Sequence, residues 1–291
     1  MSDIFGTRRA QIDGRLEEIA RDAAMPEPLR EPVHAALRSA GKRVRGILTL
    51  AAGASCGARA ESLLDAAAAF EMIHTSSLIL DDLPSMDDAE LRRGEPALHK
   101  RWGEDSAILT AVALLNHGYG VLTRNHRSLM PRRWPLADLM ERVVAAVGWD
   151  GSIGGEAVDL HSDSQPLDFS TLEYIHSRKT GALFVAAAAC GAMLANAPSS
   201  SVAAIEAYAK NLGLAFQIAD DILDATATAA ELGKDVGKDA GKLTFVKLAG
   251  LDGARQLSQE LIASAIGAIG SLGSQAKPLH DLAVTLRDRT R

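Results

Sequence analysis

Hydrophobic positions recur along most of the chain at intervals of three and four residues, which is the spacing of one face of a helix. Period-two alternation of β-branched residues, the pattern typical of strands, is hard to find. The pattern therefore predicts an all-α protein. The predicted helices cover residues 63–80, 105–124, 137–148, 171–196, 202–224 and 255–270.

Short polar or proline-containing segments separate these helices and predict brief loops. They lie at residues 25–28, 129–135, 162–168, 197–201 and 272–278. No long linker divides the chain, so we expect a single domain over residues 1–291. The segment 225–244 differs, because it is rich in Gly, Lys and Asp and poor in apolar residues. A connection of this length in a compact domain is usually functional or disordered, and its lysines predict an anionic ligand.

Composition narrows the class of protein. The chain has 291 residues, 47% of them hydrophobic, and its net charge of -6 argues against binding nucleic acid through bulk charge. The N-terminus lacks the apolar core of a signal peptide. The most apolar segment, 181–197, is rich in Ala and Gly, which favours a buried helix over a membrane span. Cys56 and Cys190 have the surroundings of core thiols in a reducing compartment, so we expect a cytoplasmic protein.

The first acidic cluster lies in LILDDLPSMDDAELRRG, residues 78–94, where an apolar run leads directly into aspartates. Pro84 lacks an N–H and would clash with the preceding turn, so the helix is expected to end near Asp81 and Asp82. A helix C-terminus carries partial negative charge, and carboxylates there are unfavourable unless a cation joins them.

A second acidic cluster lies in FQIADDILD, where Gln217, Asp220 and Asp224 share one face of a predicted helix. A single cluster of this kind is more often a solvated surface. Two clusters, each within an apolar helical pattern, favour a divalent metal. Aspartate oxygens at this density suit Mg²⁺, which keeps waters and shares its coordination shell with substrate phosphates.

Basic residues occur in four places from which they could surround bound phosphates. They are Lys42, Arg43 and Arg45; Arg92 and Arg93; Lys179, followed by Thr180; and Lys234, Lys238 and Lys242. Each alone is more commonly surface charge. Together with two acidic clusters, they predict a pocket that binds more than one diphosphate.

These motifs, in this order, resemble the trans-isoprenyl diphosphate synthase family over nearly the whole chain. The resemblance is carried by SAGKRVRG, EMIHTSSLILDDLPSMDDAELRRG, HKRWGEDSAIL, GSIGGEAVDL, IHSRKTGALF, FQIADDILD and GKDVGKDAGKLTFVKLAG. It implies a single-domain helical bundle of the isoprenoid synthase type with a central active-site cavity. It also implies a homodimeric enzyme that condenses isopentenyl diphosphate with dimethylallyl, geranyl or farnesyl diphosphate. The most similar group is that of bacterial geranylgeranyl diphosphate synthases of carotenoid pathways.

The resemblance also assigns roles to the matching positions. Two Mg²⁺ ions would be held by Asp81 and Asp87, with Asp82 and Asp88 nearby. A third would be held by Asp220, helped through waters by Asp221 and Asp224. The allylic diphosphate would be contacted by Arg92, Lys179 and Lys234, with Thr180 and Gln217 lining that site. Isopentenyl diphosphate would be bound by Gly41, Lys42, Arg45, His74 and Arg93.

The length of the product is expected to depend on residues just before the first aspartate. In the family, a bulky aromatic residue five positions before that aspartate stops growth at fifteen carbons. Ser76 stands there in this chain, followed by Ser77. Five residues of helix span about 7.5 Å, more than one isoprene unit. We therefore expect geranylgeranyl diphosphate, or farnesyl diphosphate if a bulky residue from a neighbouring helix blocks the tunnel.

The sequence departs from the family pattern at Gly46, Leu80, Glu156 and the Ala111–Val112 pair, where the family usually has Pro, His, Gln and Gly-Asp. Glu156 could alter contacts at the allylic end. Two other functions remain open. A class I terpene cyclase would carry a different second metal motif and would not need the GKRVR element. A non-catalytic partner subunit would tend to lose one aspartate cluster.

Overall fold

The computed structural model describes residues 4–22, 24–161, 169–226 and 244–287. The helices are α1 (Ile4–Ala20), α2 (Glu27–Arg38), α3 (Val44–Ala54), α4 (Leu64–Asp81), α5 (Leu98–Trp102), α6 (Glu104–Leu129), α7 (Leu136–Val147), α8 (Ser152–Leu160), α9 (Phe169–Ile175), α10 (Ala182–Leu194), α11 (Ser199–Thr226), α12 (Phe245–Ala268) and α13 (Lys277–Arg287). A π-helical segment, His176–Gly181, joins α9 to α10, and 3-10 turns cover Ala60–Leu63 and Gly270–Ala276. Two short antiparallel strands, β1 (Leu91–Arg92) and β2 (Glu95–Pro96), form a hairpin.

The prediction of an all-α fold is confirmed, and the structure corrects some boundaries. The predicted helix 171–196 is interrupted by the π-helical segment. The helix predicted over 255–270 begins earlier, at Phe245, and bends at Gly250. Thr244 caps its start, because the Thr244 hydroxyl accepts from the Lys247 N–H at 3.2 Å. Short helices such as α5 and α8 were missed because they offer too few turns for a periodic pattern. The loop predicted at 162–168 lies outside the described residues.

Small residues let the central helices approach closely. A Cβ on Gly191 of α10 would lie 2.3 Å from the Thr49 carbonyl oxygen of α3, so a side chain there would force the two helices apart. In the same way, a Cβ on Gly118 of α6 would lie 3.2 Å from the Ala69 carbonyl oxygen of α4. The apolar segment around Cys190 is accordingly a buried core helix, as its Ala- and Gly-rich composition predicted.

Within the described parts of the chain, two segments are long and apolar enough to cross a membrane by length and composition alone, Ala60–Asp81 and Glu104–Leu129. Core helices of soluble proteins pass the same test. Of the qualifying stretch in the first segment, 67% is buried within this fold. These helices are therefore weak evidence for a membrane span.

Candidate active site

The first acidic motif begins at the end of α4, as predicted. The helix ends at Asp81, and the chain then loops back so that the Asp87 N–H donates to the Asp81 carbonyl at 2.9 Å. The two residues that the resemblance assigns to metal binding are thus adjacent. Asp82 is buried and serves another partner. Its carboxylate accepts from Nε of Arg92 at 2.8 and 3.0 Å, and Nη2 of the same guanidinium also contacts it.

The hairpin that follows directs the two neighbouring arginines to different partners. Arg93 and Gly94 form its turn with φ values of 56° and 83°, the left-handed pair of a type I′ turn. Arg92 contacts Asp82, whereas the Arg93 guanidinium lies against Gly41, where a Cβ would be 2.8 Å from Nη1. The hairpin was not predicted. An X-Gly pair between short extended runs was the signal that could have identified it.

Lys179 lies in the π-helical segment, a local irregularity that is frequent at functional sites. Its ammonium contacts Oε2 of Glu156 at 2.6 Å and Oδ2 of Asp159 at 2.7 Å. This approach depends on Gly155, because a Cβ there would lie 2.3 Å from the Lys179 backbone nitrogen. The GSIGGEAVDL and IHSRKTGALF motifs therefore pack closely because Gly155 has no side chain.

These carboxylates create an excess of negative charge around the end of α4. Burial, together with the nearby carboxylates of Glu156 and Asp87, raises the pKa of Asp81 to about 7, although the positive charges of Lys179 and Arg92 oppose the shift. Burial is the largest cause of this shift, and the neighbouring carboxylates add to it. A divalent cation bound there would favour the ionised form of Asp81.

The second acidic motif lies near the end of α11, next to the loop that precedes α3. Nζ of Lys42 lies 3.5 Å from Oδ1 of Asp220. The Gln217 side chain is hydrogen-bonded to the His176 ring at the start of the π-helical segment. Asp221 accepts from the Phe245 N–H at 2.8 Å and so holds the start of α12. Asp224 is exposed near the end of α11.

Arg45, Arg93 and His74 interact with one another beside these residues, and we call this group the cationic pocket. Arg45 is buried, with its guanidinium 5.0 Å from the Phe184 ring centre, and burial lowers its pKa to about 10. Among the described residues, no acceptor lies within hydrogen-bond distance of its Nε. Burial and the charges of Arg45 and Arg93 lower the pKa of His74 well below its usual value, so this imidazole is neutral at pH 7. Glu71 offsets part of the guanidinium charge, but two guanidinium groups beside a neutral imidazole still suit an anion.

Arg43 belongs to the same basic motif but has a structural position. It is buried, adopts a left-handed conformation with φ of 49°, and donates to Asp13 at 2.7 Å and to the Leu37 carbonyl at 2.6 Å. Glu71 accepts from the Gly46 N–H at 2.8 Å within the same buried region. Arg43 therefore holds the loop before α3 in place through its Nε and Nη2.

Contacts and electrostatic interactions link most of the predicted site residues into one connected group. Asp81 interacts with Lys179, and His176 of the same π-helical segment is hydrogen-bonded to Gln217. Asp220 faces Lys42 and interacts with Arg45, which in turn interacts with Arg93 of the hairpin. Thr180 follows Lys179 in the π-helical segment. Ser76 is buried and donates its hydroxyl hydrogen to the Ile73 carbonyl at 2.8 Å, and Ser77 donates to the His74 carbonyl at 2.9 Å. Lys234, Lys238 and Lys242 lie outside the described residues.

The donor set fits magnesium better than a metal held by protein ligands alone. Across the described parts of the chain, no three His, Cys, Asp or Glu side chains converge into a closed metal site. Mg²⁺ typically uses one or two carboxylates, together with waters and substrate phosphates, and does not need such a cage. Asp81 and Asp87 at one helix end, and Asp220 at another, provide partial sets of this kind.

Comparisons with known proteins agree with this geometry. Residues 26–275 match the family model described as polyprenyl synthetase. The chain is 41% identical to geranylgeranyl pyrophosphate synthase 11 of Arabidopsis thaliana over 89% of this chain and 74% of the relative. It is 34% identical to farnesyl diphosphate synthase of Bacillus subtilis over 97% and 96%.

A solved structure shares the whole fold. Geranyltransferase from Helicobacter pylori, complexed with magnesium and isoprenyl diphosphate, superposes with a TM-score of 0.83, covers 99% of each chain and is 27% identical. The family match extends from before the GKRVR element to beyond the second acidic motif, so it includes every described residue of the connected group. The chain belongs to the polyprenyl synthetase family and has the all-α fold of the isoprenyl diphosphate synthases.

Proposed function

We propose that the protein is a magnesium-dependent prenyltransferase whose main product is geranylgeranyl diphosphate. The observation that carries this proposal is the connected group of residues in which two aspartate motifs flank a cationic pocket. Each half suits one diphosphate: Asp81, Asp87 and Asp220 with metal on one side, and Arg45, Arg93 and His74 on the other. The expected active unit is a single domain over residues 1–291 in the cytoplasm.

The reaction follows from this arrangement. The allylic C–O bond breaks, giving an allylic cation and free diphosphate. The double bond of isopentenyl diphosphate then forms the new C–C bond, and loss of a proton regenerates a double bond in a chain five carbons longer. The family resemblance implies three Mg²⁺ ions. When bound, they supply the positive charge that stabilises the leaving diphosphate.

The side chains of this protein orient the two substrates. Lys179 and Arg92 are fixed by carboxylates and can each direct remaining N–H donors at the allylic diphosphate. Arg45 offers its unsatisfied Nε, and neutral His74 offers a hydrogen bond, to isopentenyl diphosphate. The departed diphosphate is the proposed base, since it lies beside the cation that it leaves. Lys234 is proposed to contact the allylic diphosphate, and its segment lies outside the described residues.

The assay for this function uses isopentenyl diphosphate with dimethylallyl, geranyl or farnesyl diphosphate, in Mg²⁺ or in EDTA, with products separated by chain length. We expect twenty-carbon product from all three primers and none in EDTA. A cyclic hydrocarbon from geranylgeranyl diphosphate alone would indicate a terpene cyclase, and no turnover with any primer would indicate a partner subunit.

Ser76 provides the test of product length. The side chain is 3% exposed and is preceded one turn deeper by Ile73, which packs against α6 at Gly118. Ser76→Phe would place a ring in the space proposed for the growing chain, so we expect the main product to fall to fifteen carbons. Ala203→Phe, at an exposed position of α11, is the matched control. An unchanged product spectrum in the Ser76 variant would refute the tunnel assignment.

Farnesyl diphosphate synthase is the second candidate, favoured by the similarity to the Bacillus subtilis enzyme over nearly the full length of both chains. The two candidates predict different main products from geranyl diphosphate in the same assay. They share the metal and cation arrangement, so only chain length separates them.

A homodimer is also proposed, because α6 presents an apolar face to solvent. Ile108, Leu109 and Val112 are 43%, 60% and 56% exposed. Light scattering after gel filtration is expected to give twice the mass of the chain, and Leu109→Asp is expected to shift the protein towards monomer. A wild-type protein that runs as a monomer at micromolar concentration would contradict the proposal.

A further inference from the structure

Of the cations that the proposed function places at the allylic diphosphate, the two that the structure describes are already paired with carboxylates. Arg92 is held by Asp82, and Lys179 is held by Glu156 and Asp159. The cationic pocket beside them is different, since Arg45 keeps an unsatisfied Nε among the described residues. The two halves of the site therefore differ in the positive charge that they offer to a diphosphate before any metal binds.

Glu156 contributes to this difference in charge because it contacts the Lys179 ammonium. It lies one turn before Asp159 on α8, so both carboxylates face Lys179 and occupy two of the three N–H donors of the ammonium. Its side chain is only 15% exposed, so water screens its charge weakly. It is also close enough to Asp81 to interact with that carboxylate.

The charges near Lys179 can be compared without assuming a bound ligand. Among the described residues, one ammonium faces the carboxylates of Glu156 and Asp159, with Asp81 and Asp87 nearby. The described side chains would present net negative charge to a diphosphate that arrives without metal, because Asp82 already offsets the charge of nearby Arg92. A divalent cation that arrives first, or together with it, would meet favourable charge.

We propose that Glu156 is a positioning residue that fixes the Lys179 ammonium and, through its charge, weakens binding of diphosphate to this half of the site when no divalent cation is present. The proposal rests on the proposed function, because it assumes that diphosphate binds beside Lys179. It predicts two effects of opposite sign when the charge of Glu156 is removed. Diphosphate binds more tightly without metal, and the apparent affinity for Mg²⁺ falls.

The test uses Glu156→Gln, which removes the charge and keeps the shape and an acceptor for Lys179. Calorimetric titration with inorganic pyrophosphate in EDTA is expected to show binding on the order of tenfold tighter than in the wild type. Titration with Mg²⁺ at fixed pyrophosphate is expected to require a several-fold higher metal concentration for half-saturation. In turnover assays, Glu156→Gln should change the KM for the allylic diphosphate and leave the KM for isopentenyl diphosphate unchanged.

Two further variants test whether the effect of Glu156→Gln comes from the lost charge at this position. They distinguish it from a change in side-chain shape and from a change in the net charge of the protein. Glu156→Asp keeps the charge and should bind metal-free pyrophosphate as the wild type does. Glu173→Gln makes the same charge change at an exposed position of α9 and should alter neither titration. Thermal unfolding of each variant verifies that the fold is intact.

The proposal fails if Glu156→Gln binds metal-free pyrophosphate no more tightly than the wild type, or if its Mg²⁺ requirement is unchanged. It also fails if Glu156→Asp behaves like Glu156→Gln, or if Glu173→Gln has the same effect as Glu156→Gln. The pyrophosphate titrations need no turnover. If the wild type converts no primer but Glu156→Gln shows both shifts, the proposed function fails and the role of Glu156 stands.

Discussion

Gly155→Ala tests how closely the fold and the site depend on each other. The glycine lies where α8 meets the π-helical segment, and an added Cβ would lie 2.3 Å from the Lys179 nitrogen and 2.9 Å from its Cα. Ordinary contacts of a Cβ begin near 3.4 Å. The backbone of Lys179 and α8 must therefore separate by about 1 Å, since these neighbours are backbone atoms that cannot rotate away.

The expected effect on stability follows from overpacking. Forcing an extra methyl group into a packed region costs about 1–3 kcal/mol. For a chain of 291 residues, with an unfolding entropy of about 2.1 cal/mol/K per residue, this lowers Tm by about 2–5 °C. A displacement of about 1 Å at a group that positions substrate can cost about a hundredfold in rate. We therefore expect kcat/KM for the allylic diphosphate to fall by about 10- to 100-fold.

The matched control is Gly14→Ala in the middle of α1, where no atom lies within 4 Å of the added Cβ. That change should raise stability by about 0.5–1 kcal/mol, since alanine favours helix over glycine. Both variants are measured by urea unfolding followed by circular dichroism, together with steady-state kinetics. A Gly155→Ala protein as stable and as active as wild type would show that α8 and the π-helical segment are not tightly packed, and the reasoning would fail.

Two other substitutions test buried polar contacts. Tyr208→Phe removes a buried hydroxyl that donates to the Leu279 carbonyl at 2.6 Å, so we expect a loss of about 1–2 kcal/mol in urea unfolding with unchanged kinetics; a loss near zero would contradict this. Glu71→Gln keeps an acceptor for the Gly46 N–H but removes the buried negative charge that opposes Arg45 and Arg93. We expect the variant to lose about 3 kcal/mol of stability, which lowers its Tm by about 5 °C. Inorganic pyrophosphate should raise the Tm of the variant more than that of the wild type. An equal rise in both proteins would show that the Glu71 charge does not oppose the arginines.

The sequence predicted the fold class well because its strongest signal is helical periodicity in long segments. The ends of α4 and α7 lie within one residue of the predicted boundaries, whereas α6 extends five residues beyond its predicted end. It did not predict the π-helical segment, because an i→i+5 turn leaves no mark in a pattern with a period of 3.6 residues. That segment nevertheless determines the position of Lys179 relative to Glu156.

Which carboxylate pairs with which cation could not be read from the sequence, because each pairing depends on a local backbone conformation. Arg43 and Arg45 belong to one basic motif, yet the left-handed conformation at Arg43 directs it to Asp13 while Arg45 enters the cationic pocket. Non-glycine residues adopt this conformation rarely, and no pattern of residue types marks it. Spacing alone therefore identified the charged residues without separating structural from functional ones.

The same limitation affects the assignment of Asp82. Motif spacing places it with the metal-binding aspartates, whereas the type I′ turn at Arg93 and Gly94 brings Arg92 onto its carboxylate. A buried carboxylate that already accepts a forked guanidinium is a poor candidate for a direct metal ligand, because binding metal there would leave Arg92 unpaired. Its stronger role is to orient Arg92. We therefore propose that Asp82 positions Arg92, the cation expected to meet the diphosphate, and that Asp81 and Asp87 are the metal ligands of this motif.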